Sequence, residues 1–209
     1  MDDKTFGDQF SRLAKEQGTA DNKTFWDNLS NIYTEHYITP PKMGFINKLE
    51  NELNGDDSIF EYGCSSGMNL HHLKSKGFTN VSGVDISNIA IDEGKKIYTD
   101  INILVGDYTK HVDVTTNLYD VVFSRATLQH INTNEIGNVL DKLNKVLKEN
   151  KILIISECNN TIFKYGIIPN HRVYNTYNHN WGDILPKHGF TIVENIKGDD
   201  PYIKCVKNG

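Results

Sequence analysis

Apolar positions along the chain follow two spacings. Short β-prone runs occur at 58–62, 80–85, 101–105, 119–124, 151–156, 190–195 and 202–207. Between most of them, apolar residues recur three and four apart, the spacing of one helix face. The clearest such stretch is about 134–148, with Ile136, Val139, Leu140, Leu143, Val146 and Leu147 on one side. Residues 68–76 turn Leu70 and Leu73 inward and stop at Gly77. Ser87 is placed to cap a helix whose packed stripe is Ala90, Ile91, Gly94, Ile97 and Tyr98. Further helices are predicted over 42–54, with Met43, Ile46, Leu49 and Leu53 inward, and over 178–188, ending at Gly189. Strands alternating with helices predict a mostly parallel sheet with helices on both faces. Only a turn, Lys197-Gly198-Asp199-Asp200-Pro201, separates the last two strands. A parallel crossover needs a dozen or more residues, so these two strands pair antiparallel.

Two segments fall outside this alternation. In the N-terminal part, Trp26, Leu29, Tyr33 and Tyr37 share a helix face until Pro40-Pro41 ends it. This helix either packs on the domain or covers a ligand as a lid, offering the Tyr33 and Tyr37 hydroxyls. The connection 157–177 is rich in Asn and Tyr and has no periodicity. Loops of that length in compact domains are usually functional or mobile. No repeat or linker interrupts the chain. One domain over 1–209 is expected: a helical lid 1–41, a ligand-binding core 42–157, an acceptor-side insertion 158–188 and a hairpin 189–209.

Composition narrows the classes. A chain of 209 residues with 38% hydrophobic and 23% charged residues is ordinary for a soluble domain. It is long enough to bury roughly 70% of its unfolded surface. The net charge of −5 argues against nucleic acid as the main partner. Cys64, Cys158 and Cys205 are widely spaced and form no CxxC, against a disulfide framework or zinc site. The polar start Met1-Asp2-Asp3-Lys4 lacks a signal-peptide core, and no apolar run reaches membrane length. The expectation is a cytoplasmic protein, monomeric or homodimeric, with no metal and no membrane partner.

Candidate chemistry gathers at the carboxyl ends of the predicted strands, where such sheets bind ligands. The first strand leads through Glu61 into the small-residue loop Gly63-Cys64-Ser65-Ser66-Gly67, and a helix follows. The second strand ends in Asp85, the third in Gly106-Asp107-Tyr108, the fourth in Ser124-Arg125. An acid at the end of the second strand suits the two hydroxyls of a ribose. Asp107 can accept from an exocyclic amine such as adenine N6, with Ile86 and Tyr108 as apolar walls. A buried Glu61 suits a cationic amine that compensates its charge.

Four segments, Glu61-Tyr-Gly-Cys-Ser-Ser-Gly67, Gly83-Val-Asp85-Ile-Ser87, Gly106-Asp107 and Tyr119-Asp-Val-Val-Phe-Ser-Arg-Ala-Thr-Leu-Gln-His-Ile131, resemble the successive motifs of class I S-adenosylmethionine-dependent methyltransferases. They stand in that family's order and spacing and cover about residues 42–157. The resemblance implies a Rossmann-like three-layer sandwich: a seven-stranded, mostly parallel α/β sheet with a C-terminal antiparallel hairpin. It implies S-adenosyl-L-methionine as cofactor and S-adenosyl-L-homocysteine as product. The backbone of Gly63, Cys64, Ser65 and Gly67 would pass under the methionine part, near Glu61. Asp85 would hold the ribose, Ile86 would pack on adenine, and Asp107 would take the adenine amine. Main chain near Ser124 would receive the methionine amine. Asp120 matches a strand-four acid that supports structure. The chain departs from the family at Ser65, which replaces a glycine, and at Met68. A nicotinamide dehydrogenase would need G-x-G-x-x-G, and two of the three glycines fail here.

The acceptor is expected to be a small polar molecule, a sugar or an amino-bearing compound, methylated on oxygen or nitrogen. His130, just past the fourth strand, is the candidate base. In the resembling family a histidine here accompanies many substrates, which speaks for shaping the cleft. Arg125 either pairs with an acidic substrate or forms a salt bridge. Tyr177 and His179, with Tyr33 and Tyr37, are candidate acceptor contacts. A ligand aspartate of metal-dependent relatives is replaced by Arg125, and the Asn/Asp-Pro-Pro segment of DNA amino-methylating relatives is absent. The rival functions are a non-catalytic cofactor-binding partner and a protein methyltransferase.

Overall fold

A computed structural model describes residues 21–32, 43–109, 117–157, 177, 179–197 and 201–209. The elements are helix α1 (Asn22–Ile32), α2 (Met43–Glu50), strand β1 (Ile59–Tyr62), α3 (Met68–Ser75), β2 (Val81–Asp85), α4 (Asn88–Ile97) and β3 (Asn102–Val105). They continue with β4 (Tyr119–Arg125), a 3-10 turn (Leu128–His130), α5 (Ile136–Val146), β5 (Leu147–Ser156), α6 (Trp181–Lys187), β6 (Phe190–Ile196) and β7 (Tyr202–Lys207). The strands form one seven-stranded sheet in the order β3-β2-β1-β4-β5-β7-β6. The first five pair in parallel, and β7 runs antiparallel to both β5 and β6.

Two apolar clusters cover the two faces of the sheet. On one face α5 and α6 bring Ile136, Val139, Leu140, Leu143 and Leu185 onto Phe60, Val122, Leu153 and Phe190. On the other, α2, α3 and α4 bring Phe45, Ile46, Leu49, Leu70, Leu73 and Ile91 onto Ile59, Val121, Phe123 and Ile154. Their burial is the main favourable contribution to the fold. The predicted three-layer α/β architecture and the closing hairpin are as expected.

The differences are local. Leu147 belongs to β5 rather than to the preceding helix, because the chain turns extended there and pairs with Tyr119. Ile97 is 44% exposed, since the packed stripe of α4 ends at Gly94. In α1 the buried positions are Phe25, Leu29 and Ser30, and Trp26 is turned toward His130. The helix predicted from 178 begins at Trp181.

Gly94 has a role that its place in a stripe does not reveal. A Cβ on it would lie 2.1 Å from the carbonyl oxygen of Ser66. The missing side chain lets α4 press directly on the loop after β1.

The sheet is fastened at the end opposite that loop. Asp120, near the start of β4, accepts from Ser58 N–H at 3.0 Å and Ser58 Oγ at 2.7 Å. Lys148 Nζ is 2.7 Å and Lys151 Nζ 3.0 Å from its carboxylate. Partial burial pushes its pKa upward, but hydrogen bonds from Lys148, Ser58 and Lys151 outweigh that and hold it well below the usual carboxylate range. A lowered pKa stabilises the fold above the unfolded value of about 3.9, and that share is lost as pH falls below it. Asp120→Asn should therefore cost about 1–3 kcal/mol in urea melts at pH 7. The gap to wild type should narrow at pH 3; an equal gap at both pH values would mean the carboxylate charge is not what matters.

Candidate active site

The loop after β1 is shaped by left-handed residues at Gly63 (φ 77), Ser65 (φ 50) and Gly67 (φ 84). Gly63 N–H and Cys64 N–H both donate to Val84 O, at 2.8 and 3.1 Å, and Gly67 N–H donates to Cys64 O at 2.9 Å. Gly67 then opens α3, whose first-turn N–H groups face the loop. Ser65 holds a conformation that disfavours non-glycine residues. A hydrogen bond helps to hold it there: Ser65 N–H donates to Asp85 Oδ2 at 2.8 Å.

Asp85 also accepts from Ser87 N–H, through Oδ1, at 2.8 Å. One carboxylate thus ties the loop after β1 to the loop after β2. Burial raises its pKa, and the N–H donors of Ser87, Ser65 and Ile86 oppose the rise. With three N–H donors on about four lone-pair sites, the carboxylate keeps one acceptor site for a ligand hydroxyl. Ile86 beside it is half-buried. Gly106 N–H donates to Asp85 O at 2.9 Å, which brings the loop after β3 alongside. There, Asp107 Oδ1 accepts from Thr109 N–H (2.9 Å) and Thr109 Oγ1 (2.6 Å), closing a tight turn.

Glu61 lies under the loop, 1% exposed. Its Oε1 accepts from Asn69 Nδ2 at 2.6 Å, and its Oε2 is buried with no hydrogen-bond partner. Burial pushes its pKa up to about 8, against the opposing pull of the Asn69 hydrogen bond and the Arg125 charge.

Beyond β4, Ala126 is left-handed (φ 52), and Thr127 lies so close over Gly63 that a Cβ there would meet Thr127 Oγ1 at 2.1 Å. The following turn is organised by Glu157, a buried residue just past β5 that the motif reading passed over. Its Oε1 accepts from Leu128 N–H at 3.1 Å and its Oε2 from Gln129 N–H at 3.1 Å. Longer contacts of 3.4 Å come from Thr127 N–H and Ser124 Oγ. Burial raises the Glu157 pKa to about 7, opposed by the Gln129, Leu128 and Thr127 N–H groups. The turn presents His130, which is 5% exposed. Its ring meets Trp26 of α1 edge-on, 4.8 Å between centroids. Its Nε2 accepts from Gln129 Nε2 at 3.2 Å. Helix α1 also reaches the other side of the site, where Asp27 Oδ1 accepts from Ser87 Oγ at 2.7 Å.

With this geometry in view, comparison with known proteins decides the family. A family model described as a methyltransferase domain matches residues 33–195. The chain belongs to that family. Among curated proteins, the ubiquinone biosynthesis O-methyltransferase of Glaesserella parasuis serovar 5 (strain SH0165) is 25% identical over 154 residues, 70% of this chain and 64% of that one. The EEF1A lysine methyltransferase 2 of Danio rerio is 31% identical over 131 residues, 52% of this chain and 54% of that one. The chain spans less than two thirds of the length of either relative. Among solved structures, the N-methyltransferase NodS of Bradyrhizobium japonicum with bound S-adenosylhomocysteine superposes with a TM-score of 0.66 at 16% identity, covering 90% of this chain and 100% of that one. The magnesium protoporphyrin IX methyltransferase of Synechocystis PCC 6803, also with bound S-adenosylhomocysteine, gives 0.63 at 19% identity, covering 98% and 95%. These two show the fold.

S-adenosylmethionine is the cofactor of this methyltransferase family, and the residues present fit it. The orphaned buried oxygen of Glu61 suits a cationic amine. The glycines and left-handed Ser65 bring bare backbone to the surface of the loop.

Tyr108 and His179 stand differently from expectation. The Tyr108 ring is 1% exposed and packs against Tyr62 (5.1 Å) and Phe60 (6.3 Å), so it serves the core rather than an adenine wall. His179 is 2% exposed and donates through Nε2 to Ile131 O at 2.9 Å. Burial lowers its pKa, so it is a neutral brace and not an acceptor contact. Tyr177 is half-buried beside the turn, its N–H donating to Gln129 O at 2.7 Å. Ser124 is fully buried. Tyr33 and Tyr37 lie outside the described residues. Among the described residues no cluster of three or more His, Cys, Asp or Glu could hold a metal, and no helix is long and apolar enough to cross a membrane.

Glu61 holds its proton more tightly in the folded chain than in the unfolded one. Its contribution to stability is therefore full below about pH 4.5 and is lost as pH rises through about 8. A bound ammonium would reverse the preference. Calorimetry with S-adenosylhomocysteine at pH 7, in two buffers of different ionisation enthalpy, should show release of about one proton per site. Glu61→Gln should abolish the release and weaken binding. Release unchanged in Glu61→Gln would assign the proton to another group.

Proposed function

We propose that the chain binds S-adenosylmethionine and methylates an oxygen or nitrogen of a small polar molecule, such as a sugar or an amino-bearing metabolite. The observation that carries the reading is the buried, unpartnered Glu61 oxygen beneath a left-handed loop, one strand away from the Asp85 clamp. Acids at both positions favour a cationic nucleoside over a pyrophosphate. When bound, the cofactor supplies a methyl group on a sulfonium sulfur, which an acceptor displaces in line, leaving S-adenosylhomocysteine.

The chain's own residues align and desolvate. Asp85 receives a ribose hydroxyl, Ile86 packs on the adenine ring and Asp107 accepts from its amine. Backbone at Gly63, Cys64, Ser65 and Gly67 lines the methionine part. Gly106, bonded through its N–H to Asp85 O, brings the adenine side of the site alongside the ribose acid. The turn held by Glu157 sets the wall on which His130 stands. Trp26 covers the His130 ring and Gln129 engages its Nε2, so the observed arrangement favours His130 as a shaped wall over a free base. The relative named for lysine methylation keeps a protein acceptor as the second reading. A binding partner without transferase activity is the third. A cytoplasmic setting and a monomer or homodimer complete the proposal.

Incubation with methyl-labelled S-adenosylmethionine and a metabolite extract should yield a labelled small molecule. Label recovered only in protein would support the second reading. Cofactor binding with no labelled product would support the third. Asp85→Ala should weaken S-adenosylhomocysteine binding by roughly 2–4 kcal/mol, because it removes the ribose acceptor and releases Ser65 N–H. Unchanged affinity would overturn the ribose assignment. His130→Ala should lower turnover and cofactor affinity together; a fall in turnover alone would make His130 the base.

A further inference from the structure

Arg125 leaves the end of β4 on the same side of the sheet as Glu61. Glu61 pairs in register with Phe123, and Arg125 lies two residues beyond, on the same face. Its guanidinium carbon is 6.0 Å from the centre of the Phe45 ring in α2, a buried wall that holds it in place. Its Nε is buried and has no hydrogen-bond partner. The neighbouring backbone is fixed, with Thr127 Oγ1 donating to Arg125 O at 3.1 Å and Ala126 held left-handed.

Glu61 and Arg125 are thus near neighbours, one an acid that keeps its proton until a cation arrives and the other a base. The Arg125 charge is felt at the Glu61 carboxyl. Yet among the described residues neither forms an ion pair within 4.0 Å. Each leaves a buried polar atom without a partner, one an acceptor and one a donor. A cation alone would satisfy Glu61 and leave Arg125 Nε orphaned. An anion alone would do the reverse. A ligand carrying an ammonium and a carboxylate on one carbon satisfies both at once. The offset of one strand repeat, about 7 Å, leaves room for such a head group and its two charge-assisted hydrogen bonds.

We propose that Arg125 reads the carboxylate of the cofactor's amino-acid end, and so makes the site select a carboxylate-bearing nucleoside over its decarboxylated form. The proposal rests on the cofactor reading above and moves Arg125 from the methyl acceptor to the cofactor. The residue positions and selects; it takes no part in the methyl transfer.

Calorimetry with two probes tests it: S-adenosylhomocysteine and its decarboxylated analogue S-adenosyl-3-thiopropylamine. The wild type should bind the first about 10- to 100-fold tighter. Arg125→Met should lose about that factor for S-adenosylhomocysteine and stay within about twofold for the analogue. Arg125→Lys should recover part of the loss, short of the bidentate geometry. Equal wild-type affinities for the two probes would overturn the Arg125 assignment and leave the cofactor reading standing. Equal losses for both probes in Arg125→Met would do the same. If the wild type binds neither nucleoside, the cofactor reading fails and this proposal with it. Should Arg125→Met fail to fold, Arg125→Lys decides: a larger loss for S-adenosylhomocysteine than for the analogue supports the assignment, and equal losses overturn it.

Discussion

The site depends on one half-buried carboxylate. Asp85 closes the end of β2 and takes a backbone N–H from each of two loops, Ser65 on one side and Ser87 on the other. Without it, Ser65 would hold an unfavourable left-handed conformation without that compensating bond. The loop would then lose the curve that brings bare backbone to the surface. Gly94 and Gly63 complete the constraint by omission, since Ser66 and Thr127 occupy the space their side chains would need. The loop is therefore set from three directions: an acid below, a helix behind and a strand-four turn above.

The two ends of the sheet treat charge in opposite ways. At the starts of β1, β4 and β5, Asp120 is surrounded by Ser58, Lys148 and Lys151, and its acceptors are filled. That end only stabilises. At the carboxyl ends, Glu61 and Arg125 each keep a buried atom unsatisfied. Buried polar groups are ordinarily paired, so unpaired ones at a strand end point to a ligand. The fold carries the desolvation cost at the site, and the anchored end supplies stability elsewhere.

Helix α1 and Glu157 link the cofactor side to the acceptor side. The helix touches Ser87 through Asp27 and His130 through Trp26. Glu157 gathers the N–H groups of the turn that carries His130. The helix was one of two readings of its apolar face, a packing element or a lid, but the Glu157 link was not legible beforehand. Glu157 stands in no motif, and a carboxylate just past a strand has many uses until its donors are known. Tyr108 and His179 show the complementary error. Both have the chemistry of a ligand contact, but the first is drawn into an aromatic core with Phe60 and Tyr62, and the second is spent on Ile131 O.

The sequence by itself determined the layers, the parallel sense of the first five strands with their antiparallel close, and the placement of Glu61, Asp85, Asp107 and the glycine loop at strand ends. These follow from local periodicity, turn residues and connection length, which act over a few residues and can be read along the chain. The left-handed state of Ser65 and the Asp85 bridge that holds it were decided in three dimensions. So were the cover over His130, the brace at Glu157 and the unpartnered second oxygen of Glu61 beside Arg125. Each is a balance of burial and partnership among residues distant in sequence, and burial exists only once the layers have packed.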